Sequence, residues 1–596
     1  MKKVFKKLSL VIAIVMTFSL SSCDLTEQVL KQLNTIFVIR PVEEQFDVYF
    51  EQVLKNTLAA SPNVIKSYLK DPAAYGIKNY TVGYKGDEFD YPTEEEISGS
   101  RMFYSNLGMF DKNLLREDQK LLYETIEYDS ELFDSYLNFF YYQEPLSMGD
   151  GLHNWYPYTY YDAEFNEKSD VNGYIELLKT TDKYFDSLIA FETQKAENGL
   201  FMNINNLESV IKECKTVIDK KSDHQFLTSF DTRINAVKFL TEEEKTEYKE
   251  ENTALFTDVF LPSYDRLIEF LENFREKAGD WTSIANLPDG NGYLKYLHKS
   301  LGLSESPEYY INALDTEVVS SLQIFMEYSD YLTRNNKEFP RDYSPFKTPE
   351  KDYEFWKDIS KNDFPALPDG TVANFFAQES MPRNAYFEAP KIDDPKTGKI
   401  VYNKAAYEED PDDGFLTMAH EGFPGHLLQI VHAYNMKSPD YSKIMSYRGN
   451  SEGWATYAEM YAVKYLALDD IDKEAVRTGR LFNIMLSFRL ELGVSYEGWG
   501  REEINSFFGL HFEGSINENY LTYIINNPAS YAPYVGGYLE IARLKSDLSK
   551  NYSAIFSDKL FHEEFLDTGL VPLSVATKRV RERFLEYSTP KQQIAA

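Results

Sequence analysis

Cysteine is nearly missing from this chain: 596 residues hold two, Cys23 and Cys214. With Cys23 assigned to the leader described below, no internal disulfide can form, and the fold must be held by burial alone. The 43% hydrophobic and 15% aromatic content is enough to build such a core at this length. Basic charge is also short. Sixty-two Lys and Arg against 95 Asp and Glu leave a net charge of −33, a field that repels nucleic acid and anionic lipid. The acidic excess is spread in short runs, such as Glu94-Glu95-Glu96 and Glu408-Glu409-Asp410, as expected of solvated faces. The apolar run from Leu8 to Leu20 is too short for a membrane span. It follows Lys2, Lys3, Lys6 and Lys7 and runs into Leu20-Ser21-Ser22-Cys23, which together read as a lipoprotein leader over residues 1–22. On this reading Cys23 becomes the lipidated N-terminus, residues 23–40 a tether, and the remainder an extracytoplasmic body anchored to the cell membrane.

No internal repeat or low-complexity block stands out. Apolar residues at helical spacing predict helices over 42–59, 111–142, 171–192, 205–218, 242–278 and 306–334, the fifth broken near Pro262. Further helices are expected at 452–466, 472–492, 501–510, 516–525 and 538–548. The pattern pauses between Phe364 and Tyr407. There Ala385-Tyr386-Phe387-Glu388 and Lys399-Ile400-Val401-Tyr402 flank the turn signal Asp394-Pro395-Lys396-Thr397-Gly398, which predicts a hairpin. The fold expected is mainly α, a large multi-helical body with a small β element. The division is an N-terminal helical region, 41–360, and a C-terminal region, 361–596, that carries the chemistry.

That chemistry centres on Met418-Ala419-His420-Glu421-Gly422-Phe423-Pro424-Gly425-His426. Two imidazoles with a carboxylate beside the first are the groups that bind zinc and take a proton from water. The histidines are six apart rather than the four that one helix face requires. Six residues turn an ideal helix by roughly 240° and advance it about 9 Å, so a straight helix cannot aim both rings at one ion. Pro424 removes an amide and Gly422 and Gly425 permit unusual backbone angles, so a break is predicted between the histidines. The helix is expected to start at a cap on Asp412 or Asp413. The third ligand expected is Glu452, in the first turn of a helix capped by Asn450 or Ser451, with Gly453 and Ala455 giving the ligand helices room to approach. Glu459, two turns on, falls on the same face and is placed to orient a ligand imidazole. His432 is a rival ligand six residues past His426, but nothing near it supplies a break or a second imidazole. His153, His224, His298, His511 and His562 lack a ligand-like neighbourhood.

Glu452-Gly453-Trp454-Ala455-Thr456-Tyr457-Ala458-Glu459 resembles the second metal helix of gluzincin aminopeptidases, whose leading Glu is a zinc ligand. The full arrangement, His-Glu-x-x-Pro-Gly-His followed by Glu-Gly-Trp-Ala, is more similar to a family of bacterial lipoproteins of formerly unknown function grouped with gluzincin-like metallopeptidases. Leu261-Pro262-Ser263-Tyr264, Leu287-Pro288-Asp289-Gly290 and Tyr534-Val535-Gly536-Gly537 extend the resemblance over most of the chain after residue 40. One departure is Ser495, in Glu491-Leu492-Gly493-Val494-Ser495, where that family usually has histidine.

The resemblance implies a zinc metallopeptidase in which His420, His426 and Glu452 hold Zn²⁺ and Glu421 is the general base. It also implies a hairpin lining the cleft beside a peptide substrate, and a tyrosine that stabilises the oxyanion, Tyr534 first and Tyr531 second. Two other classes stay open: a lipoprotein of weak or no activity that captures peptides or glycans, and a metallohydrolase acting on another amide.

Overall fold

The computed structural model describes residues 40–589 apart from 162, 220–223, 281, 379, 380, 382 and 512–515. The leader, Cys23 and all of the tether but its last residue lie outside the described residues. Helix accounts for 68% of the structure and strand for 4%, so the mainly α expectation holds. No helix among the described residues is long and apolar enough to cross a membrane.

The N-terminal part is built of amphipathic helices whose ends follow local chemistry. Glu94–Asn106 begins at a Thr93 capping box, and the acidic run Glu94-Glu95-Glu96 forms its first turn, where carboxylates complement the helix dipole. Ile204–Ile218 starts on Asn203 and Pro307–Asn335 on Ser306, each cap accepting a backbone N–H. The stretch expected as one helix from 171 to 192 is two, Lys168–Lys179 and Thr181–Glu197. Thr180 separates them: its Oγ1 donates to the Leu177 carbonyl and accepts the Tyr84 amide, competing with the backbone ladder. At Pro262 the reverse correction applies. Glu242–Leu255 passes through a π turn, Phe256–Phe260, into Leu261–Asn273, so the wider turn absorbs the proline and no break occurs.

Aromatic packing divides the interior. One cluster gathers Tyr160, Tyr174, Phe226, Phe230 and Phe260 within the region 146–271. The largest core draws residues from both sides of position 360, from Ile97 to Phe584, and the candidate site lies against it.

The predicted hairpin exists, with a third strand the sequence pattern did not reveal. The strands are β1 (Val372–Gln378), β2 (Ala385–Glu388) and β3 (Thr397–Asn403), in the order β1-β3-β2. β2 pairs antiparallel with β3, from Ala385 opposite Tyr402 to Glu388 opposite Lys399, and β1 pairs parallel with β3, from Val372 opposite Thr397. β3 leads into five helices that carry the site: α1 (Pro411–Glu421), α2 (His426–Asn435), α3 (Arg448–Ala462), α4 (Asp470–Ser495) and α5 (Gly537–Asn551).

Two tryptophans lock these helices in place. Trp356 stacks on Phe415 at 4.3 Å between centroids and donates Nε1–H to the Phe415 carbonyl at 2.8 Å, which fixes α1. Trp454 of α3 stacks on Phe565 and donates to the Pro424 carbonyl at 3.0 Å, tying α3 to the turn between α1 and α2.

Candidate metal centre

The helix breaks between the two histidines. α1 ends at Glu421, four residues make a turn, and α2 starts on His426 itself. Both glycines of the turn are sterically required. A Cβ on Gly425 would sit 1.9 Å from the His420 carbonyl oxygen, and one on Gly422 would meet the Met418 carbonyl oxygen at 2.8 Å. The amide of Gly425 reaches back to Ala419 at 2.9 Å and that of Leu427 to Gly422 at 3.1 Å, so the turn keeps its backbone bonds while reversing the phase of the two rings. Their centroids lie 4.9 Å apart, nearly perpendicular.

Two expected caps are corrected. Asp410, not Asp412 or Asp413, accepts the Asp413 amide at the start of α1, because Pro411 takes the first helical position and shifts the cap back by two. Asp412 instead accepts the backbone amides of Asp342 and Ser344. α3 starts a turn earlier than expected, at Arg448, so Asn450 and Ser451 are helical residues and not caps. Asn450 is buried, accepting from Gln429 and donating to the Val571 carbonyl at 2.7 Å. Gly453 does not face the metal helix either. A Cβ there would meet Gly537 at 2.6 Å, so this glycine lets α5 press on α3.

Around the break the donors converge. His420 Nε2 lies 3.7 Å and His426 Nε2 3.3 Å from Glu452 Oε2, and one donor atom from each residue falls within 4.8 Å of the others. Tetrahedral ligands about 2.1 Å from zinc stand roughly 3.4 Å apart, and the two imidazole–carboxylate separations lie close to that value. Glu459 Oε2 is 3.1 Å from His420 Nδ1, leaving Nε2 free to face the other donors. Arg480 grips Glu459 from behind through Nε at 2.8 Å and also pairs with Asp413 of α1. Glu421 is buried beside the trio. One of its oxygens has no hydrogen-bond partner among the described residues, and the backbone N–H of Phe387 in β2 donates to the carboxylate.

The electrostatics of this pocket call for a cation. Burial opposes the charge on Glu452, yet His420, His426 and Arg448 hold it well below the usual carboxylate range. Burial and nearby Glu452 raise Glu421, against the pull of the imidazoles. His420 shows the same imbalance: although burial works against protonation, hydrogen bonds to Glu452 and Glu459 push it up to about 10. Three carboxylates on two imidazoles hold a proton tightly, and a divalent ion would satisfy them better, so the residues present fit zinc.

Tyr534 is also here. It sits in a π turn, Ala532–Gly536, that continues into α5, so the expected loop ends earlier than its prolines suggested. Its ring is 6.5 Å from that of His420, and its hydroxyl accepts from Arg448 Nη2 at 3.4 Å. Burial raises its pKa, so the hydroxyl keeps its proton. Tyr531 lies farther along, packed on Tyr523, with its amide bonded to Glu491 at 3.0 Å. Ser495 is fully buried at the end of α4, and its hydroxyl has no partner among the described residues.

Of the other histidines whose side chains the structure describes, each is engaged elsewhere or buried apart. His432 pairs with Asp567 at 2.7 Å, and His562 bridges the Tyr457 hydroxyl and the Asp363 carbonyl. His153 pairs with Glu213, His224 caps the helix Gln225–Ala236, and His298 is buried among aromatic rings. Three site residues escaped the sequence reading. Arg448 was detectable, since it stands one turn before Glu452 on the same helix face. Arg480 and Arg383 stand at no diagnostic spacing from the motif and reach the site only through the tertiary fold.

The sequence matches a bacterial family of unknown function over residues 91–321 and 363–580. The chain belongs to that family, DUF885. Both metal-motif segments lie inside the second matched block. Two solved structures share the fold. A candidate lipoprotein from Colwellia psychrerythraea superposes with a TM-score of 0.75 at 17% identity, covering 92% of this chain and 100% of its own. A candidate lipoprotein of unknown function from Shewanella oneidensis gives 0.59 at 15% identity, covering 90% and 98%. No curated protein matches the chain.

Proposed function

We propose that this DUF885 protein is a zinc-dependent hydrolase of peptide bonds, gluzincin-like in its site and held at the outer face of the cell membrane by a lipid on Cys23. The observation that carries the reading is the convergence of two imidazoles and one carboxylate on a broken helix, beside a buried carboxylate with a free oxygen. The description of both structural neighbours as candidate lipoproteins supports the anchor.

His420 and His426, through Nε2, and Glu452 would hold the ion. Zinc bound there supplies Lewis-acid polarisation and water activation. Glu421 is the proton carrier: its unpartnered oxygen receives a proton from the attacking water and returns it to the leaving amine. The β2 amide of Phe387 fixes the rotation of that carboxylate. Glu459 holds the His420 tautomer, and Arg480 holds Glu459. Tyr534, with its proton retained, donates to the oxygen that gains charge.

The test joins metal analysis with turnover. Protein purified without chelator should carry about one zinc per chain, and His420→Ala or His426→Ala should empty the site. Glu421→Gln should keep the metal and lose about 10²-fold or more in peptide hydrolysis, whereas Glu452→Gln should lose the metal. Wild-type rates in zinc-loaded Glu421→Gln would refute the mechanism, and a zinc-loaded wild type that binds peptides without cleaving them would make this a capture protein.

A further inference from the structure

Two arginines stand beside the metal cluster with few acceptors for their N–H donors. Arg448 begins α3, one turn before Glu452, with Nη2 3.8 Å from Glu452 Oε1 and 3.4 Å from the Tyr534 hydroxyl. Arg383 enters from the loop before β2. It approaches Asp150 Oδ1 at 3.4 Å and lies over the Trp155 indole at 5.1 Å. Asp150 is shared, because its other oxygen accepts the Tyr523 hydroxyl at 2.7 Å. The Arg383 charge is felt at Arg448, where Glu452 offsets it, and Arg383 feels Asp150 and Glu452 in turn.

Each guanidinium offers five N–H donors in a fixed fork. Against that supply the described residues give each of them one hydrogen-bond acceptor, at 3.4 Å, and Arg448 one longer ion pair. A guanidinium fork fits a carboxylate bidentately. The side chains are reachable, with Arg383 36% and Arg448 16% exposed. Two reachable forks with most of their donors unused mark where an anionic group that accepts several hydrogen bonds is taken up.

We propose that Arg383 and Arg448 bind the free α-carboxylate of the substrate, so that the enzyme acts from the C-terminal end of peptides. This rests on the hydrolase reading above. An extended peptide advances about 3.3–3.6 Å per residue, and Arg448 contacts the ligand Glu452 directly. A tail held there leaves room for only one or two residues beyond the scissile bond. The product is a single amino acid or a dipeptide released from the C-terminus: water adds to the carbonyl carbon, the C–N bond breaks, and the released fragment's new amine takes the proton carried by Glu421. Trp155 keeps the plane of Arg383 fixed, so the fork is set before the substrate arrives.

Matched peptides differing only at their ends test this on the full zinc-loaded protein. A free-acid peptide should be cleaved at least ~30-fold faster in kcat/KM than its C-terminal amide, with N-terminal acetylation having little effect. In Arg383→Gln the KM for the free acid should rise at least ~10-fold with kcat changed much less, while the amide is unaffected. Equal cleavage of acid and amide by the wild type, or loss of activity on acetylation, overturns the proposal. Calorimetric binding of the same pair to zinc-loaded Glu421→Gln separates this proposal from the catalytic one. Tighter binding of the acid, lost in the Arg383→Gln double variant, supports the tail site even if the wild type hydrolyses nothing. Equal affinity for acid and amide removes it even if hydrolysis is established. Zinc content and thermal unfolding of Arg383→Gln should match the wild type.

Discussion

Glu459 and Arg480 illustrate how much of this site is set by residues that would never touch the metal. Arg480 neutralises Glu459 and holds it well below the usual carboxylate range, to about 2, against the effect of burial. The charged Glu459 in turn accepts from His420 Nδ1. Removing either partner frees the ring to rotate and weakens its basicity. Glu459→Gln and Arg480→Met should each lower zinc affinity about 10- to 100-fold by competition with a chromophoric chelator, without emptying the site at saturating zinc. The sequence revealed Glu459 through its two-turn spacing from Glu452. It did not reveal Arg480, because a side chain that arrives from another helix leaves no periodic trace.

At the scale of single elements, the turn between α1 and α2 and the contact of α3 with α5 are shaped by glycines that admit no side chain. Gly425→Ala would drive a methyl into the His420 carbonyl, so it should cost at least about 2 kcal/mol in chemical denaturation and abolish stoichiometric zinc binding. Gly479, inside α4, is the opposite case, since a Cβ added there would meet nothing within 4 Å. Gly479→Ala should therefore leave zinc binding intact and be neutral or stabilising by up to about 1 kcal/mol. The break at Gly422 to Gly425 was readable because geometry forbids a straight helix with ligands six apart. The function of Gly453 was not. It meets Gly537, whose position is known only when α5 is folded onto α3, and that contact brings Tyr534 to the site.

For the whole molecule, burial of acids sets a pH dependence. Glu491 is fully buried in α4, and desolvation raises it to about 8, despite accepting the backbone amides of Ala529, Ser530 and Tyr531. A carboxyl whose folded pKa exceeds its unfolded value binds its proton more tightly in the native state. Its contribution to stability is then full below the unfolded pKa, near 4.5, and is lost as pH rises toward 8. Asp129, raised by burial to about 7, acts in the same direction. His562 and His298, lowered by burial to about 3 and 4, act only below about 6.5, where they destabilise as pH falls. The midpoint of thermal unfolding should therefore decline between about pH 6.5 and 8, and Glu491→Gln should flatten that decline. A wild type and variant that run parallel across this window would show that Glu491 does not titrate there.

The amino-acid sequence by itself determined the helical class, the hairpin, the need for a broken helix at Pro424, and the trio His420, His426 and Glu452 as one candidate set. Each follows from local periodicity, turn chemistry or ligand spacing, which act over a few residues and survive in a linear string. Tertiary structure alone decided that β1 joins the sheet in parallel, that Arg480 backs Glu459, and that Arg383 and Arg448 stand together beside the metal cluster. Those contacts join residues 21 or more positions apart, which only the packing of helices and sheet brings within reach of one another. Charge and burial at such separations are properties of the folded interior, where a neighbour's identity depends on the path of the whole chain.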